Sequence, residues 1–446
     1  MKTCHIIEKT FNRRQAMLPL QRQNEYLYSV PKFDLKKSDI KDFTSELKGF
    51  HEHFSDCFQR SESRDHFFKY MAGQFSDLER KSIEPIALAV QDGNVRAMQR
   101  FVSDASWDDA NIGVKYRSLI NDDLGSSNGT LIFDESGFVK KGEESIGVGR
   151  QYCGTIGKVE NCQVGVFAAY ASETGYSLVD KRLFIPKLWF SEDYEVRRKK
   201  CNLPENIIFK TKPQLAVEML HALVDEKILP FKYVLADSIY GESPEFIKAV
   251  ELLPDMTYMV SISQDTLCWP KRPMTTLKEY QWGGEMKTRT ALSDIQQKPI
   301  TVETLAKSTN KFFWYRREVS EGTKGPIVYE FSKRRITLSK SGLPQREVTL
   351  LIRRTISDGK GSYSHFISNA SPSTKLKDLV WLSGMRWAIE QCFEETKTEL
   401  GMDHYEVRKF MGWHHHILTC MMAHFFLWHL KIRLGKKSTI HYGIAA

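Results

Sequence analysis

The chain has 446 residues, 41% of them hydrophobic and 27% charged. That balance excludes a disordered, collagenous or low-complexity protein. Lys and Arg outnumber Asp and Glu by 64 to 55, a formal charge of +9 that favours a polyanionic partner. At roughly 150 residues per domain the length suggests about three domains.

The N-terminal residues lack an apolar stretch of signal-peptide length. The longest apolar-leaning run, 417–430, is broken by His424 and His429 and is too short to span a bilayer, so a cytoplasmic protein with no membrane partner is expected. The eight cysteines are scattered and form no C-x-x-C pair, so neither a zinc site nor a disulfide framework is indicated.

In chain order, residues 1–37 are polar and aperiodic and read as a flexible arm. From residue 38 the period turns helical: Phe43, Leu47, Phe50, Phe54 and Phe58 recur at steps of three and four. Ser76-Asp77-Leu78-Glu79 has the form of a capping box and predicts a helix start, with Pro85 kinking or delaying it. Val95, Met98 and Phe101, then Ile112, Tyr116, Leu119 and Ile120, continue the spacing, so 38–124 reads as an all-helical domain. After a Gly/Ser-rich turn, 130–134 reads as a short buried strand ending in Asp134. Segments 162–171 and 176–185 read as an antiparallel pair across a short turn. A helix at 213–227, a buried strand at 233–237 ending in Asp237, a helix opened by Ser243-Pro244 and a strand at 257–261 follow. This order fits a mixed sheet with helices on its faces, giving an α/β core over 125–263. Residues 264–375 read as a β-rich insertion bearing many Arg and Lys. The core then resumes over 376–432 with helices at 376–400 and about 412–430, and 433–446 is a basic tail.

Three acids stand out. Asp134 and Asp237 each close a hydrophobic strand, where a carboxylate is costly unless it binds a metal, caps a helix or reaches a sheet edge. Glu390 lies in the predicted helix 376–400. Arg386, Glu390 and Lys397 fall within about 40° of one another on a helical wheel. One reading is an i,i+4 Arg–Glu pair with a neighbouring Lys. The other is a phosphoryl-transfer site, in which three carboxylates hold two Mg²⁺ ions and the cations hold phosphates.

The Gly-rich stretch 147–158 fails the P-loop pattern, because Gly157-Lys158 is followed by Val159. It reads as a hairpin-like loop whose Lys140, Lys141, Arg150 and Lys158 lie close to Asp134 in sequence, either as phosphate-backbone contacts or as a flexible basic loop. His416, Cys420 and His424 share a helical face, yet no fourth ligand completes a tetrahedral zinc set, so a structural role is expected.

Three long blocks carry a family resemblance: LIFDESGFVKKGEESIGVGRQYCGTIGKVENCQVGVFAAYAS from residue 131, VLADSIYGESPEF from 234, and RWAIEQCFEETKTELGMDHYEVRKFMGWHHH from 386. They resemble the first-, second- and third-acid regions of DDE-type bacterial insertion-sequence transposases of the 701-type family, and the resemblance covers roughly residues 40–430. It implies an RNase H-like catalytic core interrupted by a β-rich domain, with Asp134, Asp237 and Glu390 as the catalytic, metal-binding triad. It further implies two Mg²⁺ ions, with Mn²⁺ able to substitute, and phosphate contacts by Arg386 and Lys397; Lys140, Lys141, Arg150, Lys158, Lys324 and Arg408 are further expected DNA contacts. Double-stranded DNA, as terminal inverted repeats and as target, is the implied partner, bound by a homodimer in a prokaryotic, nucleoid-associated setting. The implied activity is strand cleavage and strand transfer. The alternatives are a catalytically silent repressor derived from a transposase, and an RNase H-like nuclease or resolvase. Ser383 stands where the related Y-x2-R-x3-E-x6-K pattern has Tyr, so excision through a hairpin is not implied by this chain.

Overall fold

The computed structural model describes residues 33–34, 40, 42–322, 325–355 and 361–437. Lys324, most of the expected arm and most of the basic tail lie outside the described residues.

The helical elements come first: α1 (Phe43–Glu52), α2 (Ser61–Gln74), α3 (Ile83–Ala89), α4 (Val95–Ser103) and α5 (Asp109–Leu124). Asp42 caps α1 by accepting from the Thr44 and Ser45 amides. Phe54 and Phe58 continue the apolar stripe beyond the end of α1 and are still buried. The expected helix start at Ser76 is not observed. The Ser76 hydroxyl instead donates to the Gly73 carbonyl at the end of α2, and the next helix begins only at Ile83. Pro85 then sits at the third position, where the missing N–H costs nothing.

The strands and helices that follow are β1 (Thr130–Val139), β2 (Gly149–Cys153), β3 (Lys158–Ser172), β4 (Gly175–Phe184), α6 (Glu195–Lys200), α7 (Lys212–Glu226) and β5 (Tyr233–Ala236). Next come α8 (Ser238–Gly241), α9 (Pro244–Glu251), β6 (Thr257–Ile262), β7 (Leu267–Trp269), β8 (Thr275–Trp282), β9 (Glu285–Leu292), β10 (Ile300–Thr301) and α10 (Val302–Lys307). The chain continues with β11 (Tyr315–Gly322), β12 (Gly325–Lys340), β13 (Leu343–Thr355), β14 (Tyr363–Ser368), α11 (Leu376–Met385), α12 (Trp387–Leu400) and α13 (Phe410–Leu434).

Two compact units emerge. One holds the described residues of 33–232 and 386–437, the other those of 233–385. In the first, β1 pairs antiparallel along one edge of β3, in the register Thr130↔Ala171 to Val139↔Cys162. Both β4 and β2 pair along the other edge. Strand β2 is an addition to the expected elements, and its pairing with β3 makes the segment read as a hairpin-like loop a paired hairpin. Helix α13 is buried along most of its length, and the N-terminal helices pack around it. Phe50 meets Phe426 at 5.2 Å, and Trp107 stacks on His415 at 3.8 Å and 3°. Burying such side chains contributes about 1.5–3 kcal/mol each. Two of the three adjacent histidines are held in the core: His415 bonds the Val102 carbonyl at 2.8 Å and His416 the Tyr70 hydroxyl at 2.7 Å.

In the second unit, β5 and β6 are parallel, joined through α8 and α9. Strand β6 pairs antiparallel with β14, β14 with β13, β13 with β12, and β12 with both β11 and β7. Strands β8 and β9 form a separate two-stranded ribbon. The single helix expected over 376–400 is two helices that break at Arg386. The Ser383 hydroxyl donates back to the Val380 carbonyl at 2.8 Å, a bond that loosens a helix, and Gly384 adds backbone freedom. Gly401, at φ +70°, closes α12 in the left-handed conformation. Among the described residues no helix is long and apolar enough to cross a membrane.

Candidate active site

Strand β1 runs on to Val139, so Asp134 lies mid-strand and not at a strand end as the sequence suggested. Its first half is wholly buried, and burial relaxes at Asp134 and Glu135. Successive residues of a strand face opposite sides. Glu135 accordingly points away from Asp134 and pairs with Lys212 at the start of α7, at 2.9 Å. Asp134 Oδ1 accepts from the Glu135 amide at 2.8 Å, and Oδ2 accepts from Arg386 Nη1 at 2.9 Å.

Arg386 is separated from Asp134 by 252 residues in sequence. Its other terminal nitrogen, Nη2, donates to Glu390 Oε1 at 2.6 Å. One guanidinium therefore ties together two of the three singled-out acids. The i,i+4 pair read from the helical wheel exists, and it is also part of a tertiary bridge. Such charge-assisted bonds are about twice as strong as neutral ones. The Glu390 side chain is 49% exposed and the Asp134 side chain 14%. The arrangement is a half-open acidic pair gathered on one positive charge.

Asp237 follows β5 in the second unit and is partly buried. Its backbone carbonyl accepts from the Tyr240 and Gly241 amides, starting the short helix α8. Among the described residues no group of three or more His, Cys, Asp or Glu side chains is gathered in a form that could hold a metal ion. The chemistry of the donors nevertheless suits a hard divalent cation, which takes carboxylate oxygens. Two of these carboxylates already converge on a cation, that of Arg386.

The basic residues divide into two sets. Lys397 Nζ donates to the Gly137 carbonyl of β1 at 2.9 Å and to Thr155 Oγ1, at the tip of the β2–β3 hairpin, at 3.0 Å. Thr155 Oγ1 also donates to Gly137, and burial pushes the Lys397 ammonium below its usual pKa. Lys140 donates to the Tyr405 carbonyl at 2.9 Å and lies 3.3 Å from the centre of that ring; burial lowers its pKa to about 7. These two cations meet protein acceptors. Lys141, Arg150, Lys158 and Arg408 are exposed, with Lys158 near Glu160 at 3.4 Å.

The reading of the sequence missed three features. Thr155 had no signal. The short helix α6 carries Arg197, Arg198, Lys199 and Lys200 in an unbroken run that was there to be counted. The β8–β9 ribbon was marked by Thr, Tyr and Trp around Gly283-Gly284.

The family model described as DDE superfamily endonuclease matches residues 53–326. The chain belongs to this family of DDE endonucleases. Within it, the chain is 27% identical over 344 residues to a probable transposase for insertion sequence element IS701 from Microchaete diplosiphon, covering 76% of each chain. That relative is of the kind that the three sequence blocks resemble. A solved piggyBac transposase synaptic complex with hairpin DNA is similar over 89% of this chain and 74% of that one, at 9% identity and a TM-score of 0.41.

Proposed function

We propose that this DDE endonuclease is a DNA transposase, which cleaves DNA at transposon ends and joins the freed 3′ ends to target DNA. The observation that carries the reading is the Arg386 bridge, which brings Asp134 and Glu390 together across 252 residues of sequence separation. Asp237, at the end of β5, is the third acid. The antiparallel β1, β3 and β4 and the parallel β5 and β6 are the elements an RNase H-like core requires, in the chain order it requires.

Asp134, Asp237 and Glu390 would hold two Mg²⁺ ions, with Mn²⁺ able to replace them. When bound, these ions activate the attacking oxygen and stabilise the leaving one. The chain supplies the rest. Arg386 holds the Asp134 and Glu390 carboxylates toward one point before DNA arrives. With a scissile phosphate in place, its fork-shaped guanidinium is suited to clamp phosphate oxygens. Lys397 acts through the β2–β3 hairpin, fixing its tip against β1 so that exposed Arg150 and Lys158 face the DNA backbone. Lys141 and Arg408 add to the same electrostatic surface. Two transposon ends must be processed together, so a dimer on DNA is expected.

The test is a plasmid excision assay with a strand-transfer readout. Asp237→Ala should abolish nicking and joining in Mg²⁺ or Mn²⁺ while leaving end binding within about twofold. Undiminished nicking by that variant would refute the triad. Cleavage by the unaltered chain without joined products would make it a nuclease or resolvase. Binding with no cleavage would make it a repressor.

A further inference from the structure

The β8–β9 ribbon separates two kinds of residue onto two faces. Its register pairs Trp282 with Glu285, Tyr280 with Lys287, Lys278 with Arg289 and Thr276 with Ala291. Directly paired residues share a face, so these eight side chains line one side. The other side carries Leu277, Glu279, Gln281, Met286 and Leu292 among threonines, and no base. Every Lys and Arg of the ribbon therefore lies on one face, together with both aromatics, and Glu285 is the one acid there.

That face carries a cost. Lys278 and Arg289 are directly opposed, and like charges in that position destabilise a strand pair. The Arg289 guanidinium lies 5.5 Å from the Tyr280 ring centre, and Lys287 is 3.8 Å from Glu285, a distance that neutralises it weakly. All of β8 and most of β9 are exposed, with Trp282 at 68%. Glycines at φ +62° and +85° form the two-residue tip that such a twisted hairpin needs. An isolated two-stranded hairpin is marginal in water, and this one opposes two cations. A polyanion laid on that face removes the repulsion and covers the exposed rings of Tyr280 and Trp282.

We propose that the β8–β9 ribbon is a DNA-docking arm, which lays its Lys278, Tyr280, Trp282, Lys287 and Arg289 face against the backbone of duplex DNA. A two-stranded ribbon fits the DNA major groove, which is about 12 Å wide. Alternate residues of a strand are spaced about 6.8 Å apart, so Lys287 and Arg289 present two charges along β9, with Lys278 beside Arg289 across the pair. The opposite face stays off the DNA. This inference rests on the transposase reading for its partner, and it assigns the contact to residues remote in sequence from the three acids.

The experiment measures fluorescence anisotropy of a labelled random-sequence duplex with the full chain over a range of salt concentrations. The combined variant Lys278→Gln, Lys287→Gln, Arg289→Gln should weaken binding roughly tenfold or more. Its log–log salt slope should fall by about 2.7, or about 0.9 for each of three lost contacts. Trp282→Ala should weaken binding less than the triple Gln variant and leave the slope little changed, because an uncharged contact releases no counterion. Lys278→Arg with Lys287→Arg should bind like the unaltered chain. Thr288→Gln with Thr290→Gln, on the other face, should also bind normally and controls for folding of the ribbon. An unchanged slope in the triple Gln variant, or an equal loss from the opposite-face variant, overturns the proposal while the unaltered chain still binds DNA. An unaltered chain that binds no duplex overturns the transposase reading itself.

Discussion

Two basic hairpins of this molecule can be set side by side. The β2–β3 hairpin carries Arg150, Tyr152, Lys158 and Val159, and the β8–β9 ribbon carries Lys278, Tyr280, Lys287 and Arg289. Both turn through glycine at positive φ. The first is tied down: Lys397 and Thr155 fix its tip to Gly137, three residues along β1 from Asp134. The second has its strand residues in solvent almost throughout. The difference teaches that a basic hairpin beside the proposed triad is held for placement, whereas one proposed only to dock a polyanion stands out from the fold. In the first, a lysine is spent inside the protein so that the cations on the hairpin are held in place. In the second, cation repulsion is left for the partner to relieve.

The sharpest way to break this comparison is to cut the tie. Lys397→Met keeps the length of the side chain and removes both hydrogen bonds. It should lower stability by about 2–3 kcal/mol in a urea titration, because the Gly137 carbonyl and Thr155 lose a charged donor. It should also cut cleavage while leaving metal affinity unchanged, since Lys397 bonds neither Asp134 nor Glu390. Full stability in this variant would remove the distinction between the hairpins.

A second effect comes from the layer that supports the first unit. Burial lowers the pKa of His51 and His415 to about 4 and of His416 to about 3, from 6.5. The unfolded chain therefore binds more protons than the folded one between about pH 6.5 and those values. Stability falls as pH drops through that window, by at most about 1.4 kcal/mol per pH unit for each histidine. Urea midpoints measured from pH 7 to pH 4 should decline, and less steeply in His416→Gln after allowing for its own cost at pH 7. A flat profile would show that these rings are solvated.

A smaller effect is expected from Gly284→Val in the ribbon. A β-branched residue at φ +85° is strained, so the hairpin should lose about 1–2 kcal/mol locally. Global unfolding should shift by less than about 0.5 kcal/mol, because the ribbon buries little. Amide exchange confined to residues 275–292 reads the difference. A large drop in global stability would mean that the ribbon is part of the core. Lys158→Gln should leave the urea midpoint unchanged, since its pairing with Glu160 is exposed.

The sequence made the central strands legible because their residues are buried on both faces. Runs such as Thr130–Phe133 and Tyr233–Ala236 show as unbroken apolar segments, and their acids mark where burial relaxes. The ribbon strands were harder to see, since with neither face buried β8 has no apolar alternation to detect. The helix break at Arg386 was hidden for another reason. Propensity carries 376–400 through as one helix, while the Ser383 back-bond and the pull of Asp134 on the guanidinium are local and tertiary effects. At the candidate site, the wheel placed Arg386 beside Glu390 correctly. It could not show that Lys397 would find a backbone carbonyl and a hairpin hydroxyl, because neither acceptor carries a sequence signal. Asp134 and Glu135 are adjacent in sequence, and it is the fold that gives them different partners, Arg386 and Lys212.

The central claim is that Asp134, Asp237 and Glu390 form one divalent-cation site when DNA is bound. It is tested most directly by loading the DNA complex with Fe²⁺ in place of Mg²⁺, generating hydroxyl radicals at the ion and mapping where the polypeptide is cut. The account expects three clusters of cuts, beside residues 134, 237 and 390, all of them lost in Asp134→Ala. Cuts confined to other segments, or clusters at 134 and 390 with none near 237, would contradict it.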